Sequence, residues 1–480
     1  MKKFTAIALM LAIAGSMAGC GSGKTVKEGG EVPVLKVYMP SAQQKDLQLV
    51  VDEANKILEP KIGAKIDMVF IDSGAYTEKM NMKLASKEKF DVCFTSNWLN
   101  PYEKAVENES FYPLTELIDK NCPNLWKELP EYYWEAVSYG DEVYAVPNQQ
   151  IVSTKDALTM NKKWADKYNL DVDSIKTVDD IEPFLQQIKD NEPDVWPMRP
   201  YGNWWVKNYS PIISCVGLDN RNQNELKAIF NWDAEGYEHG LEKLREYFQK
   251  GYFRSDVASV MDDTNDFKAN KYVVTGTGWK PGFEANQAAQ LGGEHIAIIL
   301  GDTLVTRTGL TGTMYAISAN SENPDKAIQF INLMNTDKDL YNLFCYGIEG
   351  MHYDWVDSEH IKVNDNGGYH PNASWKFGDQ FNAYILEGQD PNIWEESRKI
   401  NEQAKPDRTL QFRFDTTDVQ TEISQLETII SEYKNMLTNG AVDWKEHFEE
   451  YKTKMKRAGA DNLLNEVQRQ LDEYAKSQNK

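Results

Sequence analysis

The alternation of strand and helix patterns near the start of the chain is the feature that most constrains the fold. Short apolar runs typical of buried strands alternate with segments whose apolar residues recur at helical spacing. This order predicts an open, mainly parallel α/β sheet with right-handed crossover connections. In chain order the patterns are Val34–Met39, Leu47–Leu58, Ile62–Ile71, Tyr76–Ser86 and Phe90–Thr95.

The loops that follow the predicted strands are the first place to look for a ligand site. In open α/β sheets, ligands bind beyond the carboxyl ends of the strands. Gln43 and Gln44 follow the first strand, and Asn97 and Trp98 follow the third. None of these loops carries a glycine-rich phosphate-binding motif, so a nucleotide site is not expected. The loops instead carry amides, hydroxyls and aromatic rings.

The later patterns predict a second α/β unit inserted after the first. A turn and an apolar strand at Gly140–Pro147 lead into residues 155–195, which are highly charged and predicted to be helical. The other predicted elements are helices over 234–250 and 284–291, strands over 272–275, 296–300 and 312–318, a helix opened by Asn323-Pro324-Asp325, and carboxyl-terminal helices over 419–437 and 463–475.

The length and charge of the chain limit its architecture and its partners. The 480 residues exceed what one hydrophobic core usually holds, so two or three domains are expected. A formal charge of −22 disfavours nucleic acid, because phosphate binding depends on Lys and Arg. The same charge disfavours broad adhesion to anionic lipid.

The amino terminus has the layout of a bacterial secretory signal. Lys2 and Lys3 precede an uncharged stretch from Phe4 to Ala18, which is too short to span a bilayer comfortably. Cys20 follows small residues and resembles the cysteine of a lipobox, although Met17 stands where leucine is usual. We predict a signal peptide over 1–19 and a lipidated, flexible linker over 20–32. The alternative is an ordinary signal peptide with an incidental cysteine.

Several segments together resemble the extracellular solute-binding proteins of ABC importers, in the maltose-binding-like family. They are the lipobox, the strand that ends at Pro147, the helix that begins after Asn323 and the long helical carboxyl terminus. Residues 346–353 and 412–415 are similar, more narrowly, to segments of the LplA-like lipoproteins of Firmicutes. The resemblance covers nearly the whole mature chain.

The resemblance implies an α/β, two-lobed clamp of the type II periplasmic-binding kind with an extended helical carboxyl terminus. Lobe 1 would comprise 33–146 and about 306–345, and lobe 2 would comprise 147–305 and about 346–480. Closure of the lobes on a ligand would create the form that the transmembrane subunits of an ABC permease recognise. The expected working form is a monomer outside a Gram-positive cell, held at its membrane by a lipid (palmitate) anchor on Cys20.

A sugar-binding cleft needs flat apolar faces and directional polar groups. Pyranose rings stack on Trp or Tyr, while their hydroxyls pair with polar side chains. Glycines on both sides of Trp279 free the backbone there to approach a ligand. For each aromatic candidate, packing inside a lobe is the alternative. The candidate contacts are Trp98, Asn97, Gln43, Gln44, Asn148, Gln149, Arg199, Trp204, Trp205, Trp279, Trp375 and Asp379.

The remaining cysteines and three histidines form no catalytic or metal-binding pattern. The cysteines have no CxxC spacing, and two of them lie in apolar runs typical of buried positions. A Cys93–Cys122 disulfide stays open as an alternative to free thiols. The histidines are predicted to lie at the surface, and no metal or cofactor is expected. The residues concerned are Cys93, Cys122, Cys215, Cys345, His352, His360 and His370.

Capture of an extracellular oligosaccharide for import is the leading functional hypothesis. Binding of a peptide or another polar solute by the same clamp is the alternative, and the abundance of aromatic residues favours sugar. A secreted glycoside hydrolase is less favoured, because it needs two carboxylates about 5–10 Å apart across a sugar subsite and no motif marks such a pair. No enzymatic activity is expected.

Overall fold

The computed structural model describes residues 32–200, 202, 204–260, 263–301, 304–364, 366–371 and 373–478. The predicted signal peptide, Cys20 and the predicted linker up to residue 31 lie outside this part of the chain. Three clusters of buried apolar side chains organise the described residues. They define a first lobe, a second lobe and a C-terminal module.

The first lobe is built on a sheet that has five strands within the described residues. Val34–Pro40 pairs in parallel with the strands on either side of it, as the sequence pattern predicts. Met314–Ile317 is antiparallel to both of its neighbours and comes from a distant part of the chain. Across the sheet the strands are Lys65–Ile71, Val34–Pro40, Val92–Thr95, Met314–Ile317 and Ala145–Pro147.

Helices pack against this sheet through apolar residues that recur at helical spacing. In the helix Leu47–Ile62, for example, the buried positions include Val50, Ala54 and Leu58, which share one face. The helices of the first lobe are Leu47–Ile62, Ser73–Ala85, Tyr102–Glu107, Thr115–Asn121, Leu125–Glu128, Glu131–Val137, Arg307–Leu310, Pro324–Thr336, Lys338–Tyr346 and Ile393–Gln403.

Residues 346–410 pack against the first lobe, whereas the boundary predicted from the sequence places them in lobe 2. That boundary assigns them to lobe 2, but their buried side chains, among them Tyr353, Tyr369 and Phe377, belong to the cluster of the first lobe. Aromatic stacking joins Phe377 to Phe344 of the preceding helix, with ring centroids 5.9 Å apart. The segment also holds the strands Tyr353–Trp355, His360–Val363 and Ile385–Leu386.

The second lobe has a smaller sheet whose central strand is not predicted by the sequence pattern. The prediction of helix from residue 155 is wrong for Lys155–Asn161, which is a strand paired on both sides. Ala157–Met160 are buried, and they pair with two strands that are distant in sequence. This pairing outweighs the local preference for helix. The sheet order is His295–Ile299, Lys155–Asn161, Tyr272–Trp279 and Trp196–Met198; the helices are Lys162–Tyr168, Glu182–Asn191, Tyr237–Gln249, Thr264–Lys268 and Phe283–Leu291.

The C-terminal module combines three long helices with a small antiparallel sheet from the middle of the chain. Leu426, Tyr451 and Leu463 of the helices share one buried cluster with Val216 and Leu218 of the sheet. The module therefore joins residues far apart in sequence. Its strands are Tyr209–Ile213, Val216–Asp219 and Lys227–Phe230, and its helices are Gln420–Thr438, Trp444–Arg457 and Ala460–Gln478.

The helix Ile393–Gln403, here called the brace helix, holds the first segment that passes between the lobes. Asn401 is buried in this helix. Its Oδ1 accepts hydrogen bonds of 3.2 Å from the backbone N–H of Val152 and from the hydroxyl of Ser153, and its Nδ2 donates to the carbonyl of Gln150 at 2.7 Å. One side chain thus fixes the backbone where the chain leaves the first lobe.

Two further sequence-based expectations can be compared with the packing. His352 is buried, so its predicted surface position is wrong. Its Nδ1 accepts a 2.9 Å hydrogen bond from the Ile348 N–H. The tight turn needs glycine at 347, because a Cβ there would lie 2.4 Å from His352 Nδ1. The four cysteines that the structure describes are buried, free thiols.

Candidate functional site

The carboxyl edge of the first sheet carries the candidate site. Val34–Pro40 and Val92–Thr95 run in parallel, and Met314 lies opposite both Thr95 and Pro147. Pro40, Thr95 and Pro147, the last residues of three strands, therefore lie at the same edge, and the loops that follow them leave from it. This is also the edge at which the chain passes to the second lobe.

Trp98 presents a fixed aromatic face at this edge. Its side chain is 54% exposed, yet its Nε1 donates a 2.8 Å hydrogen bond to the Gly312 carbonyl. The ring contacts Trp375, with centroids 6.3 Å apart, and the edge of Phe94 at 6.4 Å. We call Trp98 and Trp375 the aromatic platform. An exposed ring in one orientation is suited to stacking against a flat apolar ligand face.

The polar candidates in the neighbouring loops already make hydrogen bonds within the protein, and they differ in exposure. Asn97 is exposed, and its Nδ2 donates to the Thr308 carbonyl at 2.6 Å and to Thr311 Oγ1 at 2.9 Å. Gln43 is exposed and donates to the Phe70 carbonyl. Gln44 is half-buried, and its Oε1 accepts a 2.8 Å hydrogen bond from the backbone N–H of His370.

Asn148 and Gln149 lie on the segment that leaves the first lobe, but both are buried. Asn148 Nδ2 donates to the Lys376 carbonyl at 2.9 Å. The Gln149 carbonyl accepts a 2.7 Å hydrogen bond from the Gln380 N–H, and its side-chain amide nitrogen faces Asp379 Oδ2 at 3.1 Å. These contacts hold the crossing segment against residues 374–380.

Asp379 is a buried carboxylate next to the same crossing segment. Its Oδ1 accepts a 2.8 Å hydrogen bond from the Phe381 N–H, and its Oδ2 lies 3.2 Å from Nη2 of Arg398 on the brace helix. Burial raises the pKa of Asp379 to about 6, although the Arg398 guanidinium opposes the shift. The arrangement couples the charge of Asp379 to the brace helix.

The second lobe contributes two tryptophans at the strand Tyr272–Trp279 of its sheet. Trp279 ends its strand half-buried, and its Nε1 donates to Glu284 Oε1 at 2.8 Å. The half-buried ring of Trp204 lies directly on Gly276, where an added Cβ would sit 1.9 Å from Trp204 Cζ2. The missing side chain at 276 thus makes room for the ring.

Trp205 and Arg199 are engaged within the second lobe. Trp205 is buried in that lobe's cluster and donates from Nε1 to Asp179 Oδ1 at 2.9 Å. Arg199 forms a two-point ion pair with Asp263 and lies over the Phe267 ring at 5.1 Å. Both residues already have structural contacts.

Sequence reasoning missed Lys376, which lies beneath the aromatic platform. This lysine is buried, its Nζ donates to the Pro40 carbonyl at 2.8 Å, and it lies 5.1 Å from the Trp375 ring centroid. Burial lowers its pKa. Asn401 was missed as well. Neither residue belongs to a motif, and only adjacency to Trp375 could have pointed to Lys376.

Two cavities share Tyr209 and Ser210 in their linings. The junction cavity, about 550 Å³, lies between first-lobe residues that include Asn97 and the start of the C-terminal module at Phe412 and Phe414. The second-lobe cavity, about 760 Å³, is lined by Trp204 and by polar residues around it. Their linings together include residues of the first lobe, the C-terminal module and the second lobe.

Neither a metal-binding cluster nor a membrane-spanning helix is observed in the described part of the chain. Among these residues, no group of three or more His, Cys, Asp or Glu side chains is arranged to hold a metal ion. Within the same ranges, no helix has both the length and the apolar character that crossing a membrane requires.

The chain belongs to the bacterial extracellular solute-binding proteins, whose family pattern it matches over residues 41–340. Residues 408–476, which form most of the C-terminal module, match a domain of unknown function (DUF3502). The two-lobed fold agrees with this membership.

Individual relatives are similar along almost the whole chain. A carbohydrate ABC transporter substrate-binding protein of Streptococcus pneumoniae is 28% identical and is covered over 99% of both chains. Lipoprotein LipO of Bacillus subtilis is 22% identical over 94% of this chain and 95% of its own length.

A solved structure shows the same fold. The N-glycan transport solute-binding protein NgtS of Streptococcus pneumoniae is 27% identical, with a TM-score of 0.82 over 93% of this chain and 100% of that one. In complex with Man1GlcNAc the same protein matches with a TM-score of 0.70, over 92% of this chain and 100% of that one.

Proposed function

We propose that this chain captures an oligosaccharide in the cleft between its lobes and delivers it to the transmembrane subunits of an ABC importer. The observation that carries the proposal is the aromatic platform: Trp98 is exposed, fixed by its hydrogen bond to Gly312 and paired with Trp375. A pyranose presents a flat C–H face that stacks on such a ring, while its hydroxyls meet amides and carboxylates.

The relatives support a carbohydrate ligand. The relative that is 28% identical is named as a carbohydrate transporter component, and NgtS is described in complex with Man1GlcNAc and with Man5GlcNAc. We therefore place neutral oligosaccharides, including those of the N-glycan type, first among the ligands to test.

The relatives also support a hinge motion. The TM-score to NgtS is 0.82 where no ligand is named and 0.70 and 0.66 in the two glycan complexes. Rotation of one lobe against the other would lower the score while leaving each lobe unchanged. We infer that the described arrangement is the open form and that ligand binding favours a closed one.

The contacts within the site suggest a division of labour among the candidates. We assign ligand contact to the exposed or half-buried side chains Trp98, Trp375, Asn97, Gln43, Gln44, Trp279 and Trp204. We assign support of the site to the buried or ion-paired residues Asn148, Gln149, Asp379, Trp205 and Arg199. This division predicts that only the first group changes affinity without changing stability.

We further propose that Cys20 carries the lipid anchor of a monomeric receptor at the outer face of the membrane. A tether raises the effective concentration of the receptor at its permease without any added contact. Support comes from the sequence around Cys20 and from the similarity to a lipoprotein. Cys20→Ser should abolish labelling by a palmitate analogue and move the protein from the membrane fraction to the medium; retained labelling would contradict the assignment.

Calorimetric titration with separate pools of oligosaccharides and peptides tests the ligand class. We expect saturable heat with oligosaccharides and none with peptides. Binding of peptides alone would overturn the sugar assignment and leave the clamp intact. Chromatography of each pool after incubation tests for turnover, because the proposal includes no catalysis; consumed substrate would contradict it.

A further inference from the structure

We propose that the hairpin loop over residues 219–225 forms an oxygen cage for a guanidinium ion and that Arg408 fills this cage from within the chain. The filled cage fixes the segment that leaves the first lobe to the C-terminal module. This role of Arg408 is independent of which ligand the clamp binds. It belongs to the first residue of the region that matches a domain of unknown function.

The guanidinium of Arg408 is surrounded by oxygens of one loop, which joins the antiparallel strands Val216–Asp219 and Lys227–Phe230. Nη1 donates to three backbone carbonyls at 3.0–3.2 Å. Nη2 donates to a fourth carbonyl and to a side-chain amide oxygen, both at 3.0 Å. In chain order the acceptors are the carbonyl of Asp219, Oδ1 of Asn220 and the carbonyls of Asn222, Gln223 and Glu225.

The five acceptors of the cage are neutral oxygens. Backbone carbonyls that point toward one centre bring the negative ends of their dipoles together and need donors there. The Asp219 carboxylate is engaged in a two-point ion pair with Arg221, at 2.7 and 2.8 Å. A guanidinium suits such a site, because it is planar, always charged and donates along a rigid fork. The loop therefore has the chemistry of a cation site whose cation is a side chain.

A closed ring of hydrogen bonds joins the cage to Asp407, the residue before Arg408. Asn220, whose Oδ1 belongs to the cage, donates from Nδ2 to Ser210 Oγ at 2.8 Å. Ser210 Oγ donates in turn to Oδ2 of the buried Asp407 at 2.5 Å. The amide of Asn220 cannot turn over without the loss of two hydrogen bonds. The ring thus fixes the positions of both charged side chains.

The backbone next to Arg408 runs beside a segment that crosses between the lobes. Lys405–Pro406 pairs in parallel with Leu304–Val305. The Asp407 N–H extends this pairing with a 2.8 Å hydrogen bond to the Val305 carbonyl. Along the chain, Leu304–Val305 connects the second lobe back to the first. Arg408 therefore fixes this pair of crossing strands to the sheet of the C-terminal module.

Emptying the cage and refilling it tests the proposal. Arg408→Ala removes the guanidinium, and Arg457→Ala, at an exposed position of the same module, is the matched control for the loss of an arginine. Hydrogen exchange followed by mass spectrometry reports on peptides that cover 219–225 and 405–410. Methylguanidinium, methylammonium and Ca²⁺ are each added as the chloride at about 20 mM.

We expect Arg408→Ala to speed exchange in both peptides at least about tenfold and to change it little in Val34–Pro40 of the first lobe. Methylguanidinium should slow this exchange about threefold or more, because it binds the emptied cage. It should leave the wild type and Arg457→Ala unchanged. Unchanged exchange in Arg408→Ala, or faster exchange with no excess in the two peptides, would overturn the role of Arg408 at this junction.

The choice of added cation tests the shape of the cage. Failure of methylguanidinium to slow exchange would overturn the guanidinium site, and so would equal rescue by methylammonium. Rescue by Ca²⁺ alone would overturn it in favour of a metal site. Arg408→Lys, which keeps the charge without the planar fork, gives a second test if Arg408→Ala does not fold. We expect exchange between that of the wild type and complete loss of protection, and wild-type exchange would contradict the need for a fork.

Discussion

The indole N–H of Trp98 donates to the carbonyl of Gly312, so the exposed ring of the candidate site is tied to the segment that re-enters the first lobe. Gly312 lies two residues before the strand Met314–Ile317, which pairs with the strand that leads to Trp98. The ring is therefore held by its own hydrogen bond and by the pairing of the two strands next to Trp98 and Gly312. Its orientation does not depend on a ligand.

Replacement of Trp98 tests its role as a stacking surface. We expect Trp98→Ala to weaken oligosaccharide binding about threefold to tenfold, because an aromatic pair contributes about 0.5–1.5 kcal/mol beyond the area that it buries. The melting temperature should change little, since the side chain is largely exposed. Calorimetric titration and thermal unfolding measure the two effects.

Trp355→Ala is the matched control for Trp98→Ala. Trp355 is 40% exposed and lies in the small sheet formed by Tyr353–Trp355, away from the crossing segments. We expect wild-type affinity from this variant. Equal affinity of the Trp98 variant and the wild type would remove Trp98 from the site.

The opposing lobe is tested by Trp279→Ala. Trp279 is the last residue of the strand Tyr272–Trp279 in the second sheet, and we expect its loss to weaken binding by a similar factor. Glu284→Gln separates two explanations, because it removes the charge beside Trp279 Nε1 and keeps the ring. Weaker binding by Trp279→Ala with near wild-type binding by Glu284→Gln would identify the ring as the contact. Full affinity of Trp279→Ala would remove Trp279 from the site.

We expect the loss of the Asn401 side chain to destabilise the fold, because this one side chain hydrogen-bonds three residues of the crossing segment. Asn401→Leu leaves the buried Val152 N–H without this partner, and a buried unpaired group costs about 1–3 kcal/mol. The Gln150 carbonyl loses its 2.7 Å hydrogen bond and keeps the 3.3 Å hydrogen bond from the Tyr133 hydroxyl. We expect a lower free energy of unfolding in urea. Asn462→Leu, at an exposed helical position, is the control and should stay near the wild-type value. A small effect of Asn401→Leu would show that the crossing segment is held by its other contacts.

The raised pKa of Asp379 predicts how stability depends on pH. Burial raises its pKa from 3.8 to about 6. Between these values the folded protein keeps a proton that the unfolded chain releases, so this group makes stability fall as the pH rises from 4 to 6. Asp379→Asn removes the titration. Its free energy of unfolding should therefore rise relative to wild type by up to about 3 kcal/mol between pH 4 and pH 7.

Denaturation by urea at several pH values measures this difference. Asp390→Asn, at an exposed position in the neighbouring segment, should run parallel to the wild type over the whole range. A difference between Asp379→Asn and wild type that stays constant with pH would contradict the raised pKa.

The buried thiols should be inert in the folded protein. Burial raises the pKa of Cys122 to about 11 and of Cys215 to about 12, and it raises those of Cys93 and Cys345 further. Because the thiolate is the reactive form, a maleimide should label none of the four before denaturant is added and all four afterwards. Mass spectrometry counts the labels. Labelling of only two after denaturation without reductant would reveal a disulfide.

The first lobe could be predicted from local sequence patterns because its strands and helices have strong apolar periodicity. Val34–Pro40 and Leu47–Ile62 are examples, since their buried faces follow directly from residue spacing. Lys155–Asn161 could not be predicted in this way, because its residues favour helix and two distant strands impose the extended form.

The candidate site was predictable to the extent that it follows strand ends. The loop after Val92–Thr95 pointed to Trp98, which the structure leaves exposed. Asn148 follows a strand end too, but it is buried by residues 374–380, whose position depends on long-range packing. Asn401 and Lys376 act through contacts with remote backbone carbonyls, and no local pattern records such contacts.

The strand Met314–Ile317 also determines when the first lobe can fold. It separates Val92–Thr95 from Ala145–Pro147, so these two earlier strands have no direct pairing with each other. During synthesis the sheet stays divided, with unpaired strand edges, until the whole second-lobe sheet has been made. Because such long-range closure is slow, the edge that carries Trp98 is among the last parts of the first lobe to form.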